Sequence, residues 1–520
     1  MKRPAAPTGP IRIAPPLLTT LLAATVLAGC DLPGGPSPEK RADQRAEVPR
    51  KPVKPVNPPP GLSAALKGQR LAWSSCPAPS RAQGGGKAPG GGWECATMKA
   101  PRDYKKPAAA TIDVALIRKR ATGAAQDLAG SLLFNFGGPG VSGVSALPGF
   151  APDYAGLGAR YDLVSFDPRG VGDSAPVSCG DEEYGKKGTA ACTRHSNGLR
   201  PYVGTANAAR DMDLMRYLLG DRKLHYFGVS YGTELGSVYA HLFPRNVGRI
   251  VLDAVVDPTL DTLHTELRQA EAVQRAFDRW TAWCARTRPD DCPTGNDPSQ
   301  ANQRVVRLLD RLWDKPARTD DGKKLNGSLA AHGISNFLDR GKSGWKPLVK
   351  ALAEVMGKGT GNRLLDNAYD IGSSAPGRSP ADNEMAAGLA VECADSSQRL
   401  PYSKADEVIR RFKAVSPVFG ETWSDGAFEC TGWPVPGERT HPEVSAPGAA
   451  PVLVVGNTGD PTTPHTGAQN MARELGKGVG VLLTVPGEGH GSYPFYRCAV
   501  SKVDAYLLRG TLPKSGTICR

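Results

Sequence analysis

The sequence contains no C-x-x-C pair and no H-E-x-x-H signature, so the common frames for structural zinc, dithiol redox chemistry and zinc-dependent proteolysis are missing. No metal or cofactor is expected. The N-terminal apolar core, residues 17–27, is too short for a membrane-spanning helix. Lysine and arginine give a formal net charge of +13, yet they are scattered. No basic run is interleaved with aromatics, as a nucleic-acid groove requires, so nucleic acid is not an expected partner. Histidine is scarce: eight residues in 520 leave few candidates for a general base. Convincing strand patterns are also missing over residues 260–448, between flanks that alternate strands with helices.

What is present begins with an export segment. Lys2, Arg3 and Arg12 precede the apolar core, which ends in Leu27-Ala28-Gly29-Cys30. That ending resembles a bacterial lipobox, in which the cysteine becomes the lipidated first residue; a plain signal peptide cut at a small residue is the alternative. Residues 1–30 therefore read as a lipoprotein signal peptide. Residues 31–60, rich in Pro, Lys and Arg with almost no apolar side chains, read as a disordered tether. The expected location is the outer face of the bacterial cell membrane, with membrane contact through a lipid on Cys30, or the secreted space. Cysteine usage agrees with export. Of eleven cysteines, Cys30 goes to the lipid, and the even remainder falls into sequence-near pairs. These are Cys76 with Cys95, Cys179 with Cys192, Cys284 with Cys292, Cys393 with Cys430, and Cys498 with Cys519, all expected as disulfides.

Residues 61–259 and 449–520 read as two parts of one α/β core, and residues 260–448 as a helical insertion. Early strands are expected at 71–73 and 111–117. The continuous apolar runs 131–136 and 161–166 suit strands buried on both faces. The first runs into Gly137-Gly138-Pro139-Gly140, whose backbone N–H groups could face a neighbouring site. The second ends in Asp167-Pro-Arg-Gly170, a loop expected to brace that site through Arg169 and Asp173. The apolar run 224–227 leads into Gly228-Val229-Ser230-Tyr231-Gly232 and then straight into a helical pattern. A serine at such a strand–turn–helix apex sits on a strained bend with its hydroxyl lifted clear of the sheet.

An acid and a base follow in chain order. Residues 451–456 end in Asn457-Thr-Gly-Asp460, and residues 479–485 end in Pro486-Gly-Glu-Gly-His490-Gly491. The chemistry needs each type: Ser230 is a poor nucleophile until His490 takes its proton, and Asp460 fixes the imidazole tautomer. Asp257, also beyond a strand end, is the rival acid. His465 lies too near Asp460 in the same loop to serve as base. His225 should lie within the strand, and His195, His241, His264, His332 and His441 lack the strand-end glycine setting.

Taken together, Gly137-Gly-Pro-Gly140, Asp167-Pro-Arg-Gly170, Gly228-Val-Ser-Tyr-Gly232, Gly456-Asn-Thr-Gly-Asp-Pro461 and Gly489-His490-Gly491 resemble the secreted tripeptidyl aminopeptidases and proline iminopeptidase-like members of the α/β-hydrolase superfamily. The likeness covers about residues 65–520. It implies an α/β-hydrolase fold: a mostly parallel central sheet with helices on both faces and a large helical cap. It implies an oxyanion hole from the N–H groups of Gly138 and Tyr231. Here Phe136 precedes the glycine loop, where relatives often carry His or Asn-Pro. It implies a serine aminopeptidase acting on peptide substrates from a free N-terminus; a monomer is expected, with the oligomeric state left open. Relatives hold the substrate ammonium with acidic cap residues, and Ala390-Val-Glu-Cys-Ala-Asp395 matches such a segment, making Glu392 and Asp395 the anchor candidates. A solvated helix end is their other reading. Removal of one residue or three is left open, and a carboxylesterase or lipase using the same triad is the alternative activity.

Overall fold

The computed structural model describes residues 57–178, 196, 198–368 and 383–520. Cys30, most of the tether and the expected Cys179–Cys192 pair lie outside the described residues.

The runs read as buried strands do form the centre of a sheet. In chain order the strands are β1 (Ser74–Ser75), β2 (Trp93–Pro101), β3 (Thr111–Lys119), β4 (Gly130–Asn135), β5 (Tyr161–Phe166), β6 (Leu224–Val229), β7 (Val247–Asp253), β8 (Ala317–Arg318), β9 (Lys324–Leu325), β10 (Val452–Gly459), β11 (Gly480–Glu488) and β12 (Thr517–Ile518). Ten of them make one sheet in the order β1-β2-β3-β5-β4-β6-β7-β10-β11-β12. Every neighbouring pair from β5 to β12 is parallel, and β1, β2 and β3 add antiparallel edge pairs. This is the α/β-hydrolase fold. β5 and β4 are buried along nearly their whole length, because helices cover both faces.

Two early strands differ from expectation. Residues 71–73 are not extended ladder; pairing starts at Ser74, while Trp73 lies under the Arg118 guanidinium at 4.0 Å. The nine-residue β2 went unread because Thr97 and Lys99 break its apolar pattern on the exposed face.

Between β7 and β10 the described residues form helices and connecting loops apart from the short β8–β9 hairpin. The helices Thr262–Thr287, Ala301–Asp314, Gly327–Asp339, Lys342–Ala353 and Ala405–Val415 close around their own core, which includes Phe277, Trp280, Leu348 and Phe419. The helix Glu384–Asp395 behaves differently. Its Ala390, Val391 and Cys393 join the core of the sheet domain, together with Cys430 and Trp433. This part of the insertion is thus packed on the body rather than on the cap.

Four disulfides are described: Cys76–Cys95, Cys284–Cys292, Cys393–Cys430 and Cys498–Cys519. Alkylation of the denatured, unreduced exported protein should find these eight cysteines blocked, and peptide mapping should return these four pairs. A free thiol at Cys284 or Cys292 would contradict that pair.

Candidate active site

The glycine loop and the predicted nucleophile leave neighbouring strands. β4 pairs with β6, Asn135 opposite Gly228, so both loops emerge at the carboxyl ends where strand order reverses. Ser230 has φ 56° and ψ −126°, a region side chains rarely adopt, and precedes the helix Tyr231–Leu242. The flanking glycines permit it. A Cβ on Gly228 would lie 2.3 Å from the Gly232 carbonyl oxygen, and one on Gly232 would lie 2.6 Å from that of Asn135. The N–H groups of Gly138 and Tyr231 make no hydrogen bond to another described residue, and both residues line the same cleft as Ser230.

Asp460 follows β10 and is buried. Its carboxylate accepts from the N–H groups of Thr462 at 2.9 Å, Thr463 at 2.8 Å and Gly491 at 3.3 Å, and from Thr463 Oγ1 at 3.0 Å. Both its oxygens stand 3.1 Å from His490 Nδ1, so the carboxylate selects the Nδ1–H tautomer. Burial opposes charge on His490, yet Asp460, Asp339 and Asp253 outweigh it and lift the imidazole to about 9. Asp257, the rival acid, instead binds Thr259 and Asn470. His465 donates to or accepts from Thr484 Oγ1.

Asp253, unread in the sequence, ties the loops together. Its carbonyl accepts from Ser230 N–H at 3.1 Å, and its carboxylate accepts from Ser492 N–H and Tyr493 N–H. The serine bend and the histidine loop are therefore pinned to one residue. Among the described residues no hydrogen bond joins Ser230 Oγ to His490, a looseness common before substrate is bound. Arg169 braces the body rather than the site: it is fully buried, paired with Asp211, and holds the carbonyls of Pro101, Arg102 and Tyr202. Asp173 takes Ser80. The site-side brace is Asp167, which accepts from Ser142 Oγ and Val144 N–H at the start of the helix after the glycine loop.

A cleft of about 270 Å³ opens over Ser230, and one wall is acidic: Glu234, Glu266, Glu392 and Asp395, faced by Arg439. Asp395 is largely committed. It accepts from Thr205 N–H at 2.9 Å and Thr205 Oγ1 at 2.6 Å, capping the helix Thr205–Leu218, whose own N-cap, Gly204, has no side chain to do so. Thr205 Oγ1 in turn meets Tyr231 Oη at 2.7 Å. Glu429 lies near enough to Glu392 to oppose its charge. Desolvation and then Glu429, Glu266 and Glu234 hold Glu392 well above the usual carboxylate range. Since its surface is open to the cleft, the like charges are the firmer cause. Burial, then Glu429, pushes Glu266 up to about 8; burial, then Asp395, pushes Glu234 up to about 7. Glu234, Glu266 and Glu429 escaped the sequence reading. The pairing of Cys393 with Cys430 was the available signal for Glu429, because it sets residues 392 and 429 side by side.

Comparison with known proteins closes this reading. A family profile described as TAP-like protein matches residues 416–519. The chain is 35% identical over 492 residues to Serine protease Hip1 of Mycobacterium tuberculosis, spanning 87% of this chain and 91% of that one. The chain belongs to the tripeptidyl aminopeptidase-like family of α/β-hydrolases. Within that family it is also 30% identical to Tripeptidyl aminopeptidase of Streptomyces lividans, over 82% of this chain and 83% of the other. It is 32% identical to Carboxylesterase B of Mycobacterium tuberculosis, over 82% and 86%. The protein is a serine hydrolase.

Proposed function

We propose that the protein is a serine aminopeptidase that releases short peptides, or single residues, from the free N-terminus of peptide substrates. The observation that carries this reading is the acidic wall in the cleft over Ser230. A substrate ammonium entering there loses hydration, and carboxylates offset that loss with charge-assisted hydrogen bonds. A short ester has no use for such a wall.

In this reading Ser230 Oγ attacks the scissile carbonyl while His490 Nε2 takes its proton. The oxyanion is held by the N–H groups of Gly138 and Tyr231. His490 then protonates the leaving amine, and water, activated by the same imidazole, frees the acyl group from Ser230. Asp460 keeps the ring oriented and stabilises its charged form. Glu392, backed by Glu266 and Glu234, receives the ammonium. The esterase alternative uses the same centre, and a relative named Carboxylesterase B favours it. Free and N-acetylated peptides compared on the purified enzyme separate the two.

We also propose that the protein is exported and held at the membrane by a lipid on Cys30, which supports action on peptides outside the cell. Among the described residues no helix is long and apolar enough to cross a membrane. Mass spectrometry of the mature N-terminus should find a lipidated Cys30, and Cys30→Ser should be released or left unprocessed. An unmodified terminus at another residue would rule the anchor out.

A further inference from the structure

The insertion touches the loops of the acid and the base directly. The turn that ends the helix Gly327–Asp339 runs against the loop after β11. The carbonyl of Asp339 accepts the His490 N–H at 2.8 Å. The Asp339 carboxylate accepts from Thr462 Oγ1 at 2.7 Å, and the N–H of Thr462 donates to Asp460. Two glycines in the left-handed region allow the approach. A Cβ on Gly341 would lie 2.3 Å from the Glu488 carbonyl oxygen, and one on Gly489 would lie 2.8 Å from that of Asp339. A second cap residue, Arg279, pairs with Glu488 at 2.8 Å and donates to the carbonyl of Gly459. One short turn of the cap thus holds the backbone of His490 and the turn that cradles Asp460.

Building on the triad reading above, we propose that Asp339 is a positioning residue that couples the seating of the cap to the readiness of His490. Its backbone sets the histidine loop, its carboxylate sets the Asp460 turn, and its negative charge favours the protonated imidazole. The groups facing His490 are Asp460, Asp339 and Asp253; those facing Asp339 are His490, Asp460 and Arg340. Asp460 and Asp253 stand on the sheet domain, so Asp339 is the carboxylate among them that leaves with the cap. Burial pushes Asp339 up to about 6, with His490 and Thr462 acting against the rise, so it is charged where His490 is being titrated. If the cap shifts, His490 loses a backbone anchor and a stabilising charge together. The cap also carries Glu266 in the acidic wall, so the element that meets the substrate is the one that steadies the base.

The test uses the exported, oxidised enzyme and a short acyl ester, whose lack of an ammonium keeps the acidic wall out of the pH profile. Asp339→Asn retains an oxygen for Thr462 and removes only the charge. A histidine that loses a nearby negative charge deprotonates at lower pH. The acidic limb of kcat/KM should therefore move down by about one pH unit. Asp339→Ala also loses the Thr462 bond and should lower kcat about tenfold with KM nearly unchanged. An unmoved acidic limb in Asp339→Asn, with wild-type kcat in Asp339→Ala, overturns the proposal. His490→Ala separates the two readings. If it is inactive while both Asp339 variants behave as wild type, only the role of Asp339 fails; if it retains wild-type activity, the triad itself fails.

Discussion

Ser230→Ala, Asp460→Ala and His490→Ala should each cut turnover by about three orders of magnitude or more. The three groups act as one unit, so the Ser230→Ala/His490→Ala double variant should be hardly slower than either single variant. A serine-directed phosphonate should label Ser230 alone. Wild-type labelling of Ser230→Ala would place the nucleophile elsewhere. The variants will not be equally stable. Ser230→Ala also removes a hydroxyl that has no hydrogen bond to His490, whereas Asp460→Ala strands the donors of Thr462, Thr463 and Gly491. A lower melting temperature is therefore expected for Asp460→Ala. Asp460→Asn, which keeps an acceptor, is the better measure of its chemical role.

Acetylating the substrate N-terminus should lower kcat/KM by roughly 100-fold, or about 2–3 kcal/mol, because the acidic wall then meets a neutral amide. The comparison belongs near pH 7, where most α-amino groups, with pKa about 7.7–8.0, remain charged. Glu392→Gln should depress the free-amine peptide far more than the acetylated one and leave short esters nearly unchanged. Asp395→Asn should behave otherwise. Its carboxylate caps the helix at Thr205, and Thr205 touches the Tyr231 side chain, so its loss should affect free, blocked and ester substrates alike. Equal hydrolysis of free and blocked peptides would sink the aminopeptidase reading in favour of an esterase or endopeptidase.

The sheet was legible because its signals are local. An apolar run such as 161–166 marks a doubly buried strand, and a glycine turn marks its carboxyl end. Asp460 and His490, read from two such ends, do meet at 3.1 Å, because β10 and β11 are adjacent and in parallel register. The acidic wall was only partly legible. Glu234, Glu266 and Glu392 come from three helices far apart in sequence, and no periodicity ties them to one place. The bond from Asp395 to Thr205 spans 190 residues, so its helix-capping role was not legible in the sequence. Asp253 and Asp339 were hidden for a similar reason: Asp253 reaches the histidine loop from another strand of the same sheet and Asp339 reaches it from the cap, contacts that sequence spacing does not encode.

The Cys393–Cys430 bond has a consequence for the acidic wall. Glu392 and Glu429 each precede one of its cysteines, so the covalent link keeps two mutually repelling carboxyls adjacent. The link closes a separation of 37 residues, which in the chain-entropy picture contributes about 4 kcal/mol. Without the bond, nothing covalent would hold residue 429 beside residue 392. In the proposed aminopeptidase, the bond that fastens this part of the fold would also keep the carboxyls of the acidic wall in place.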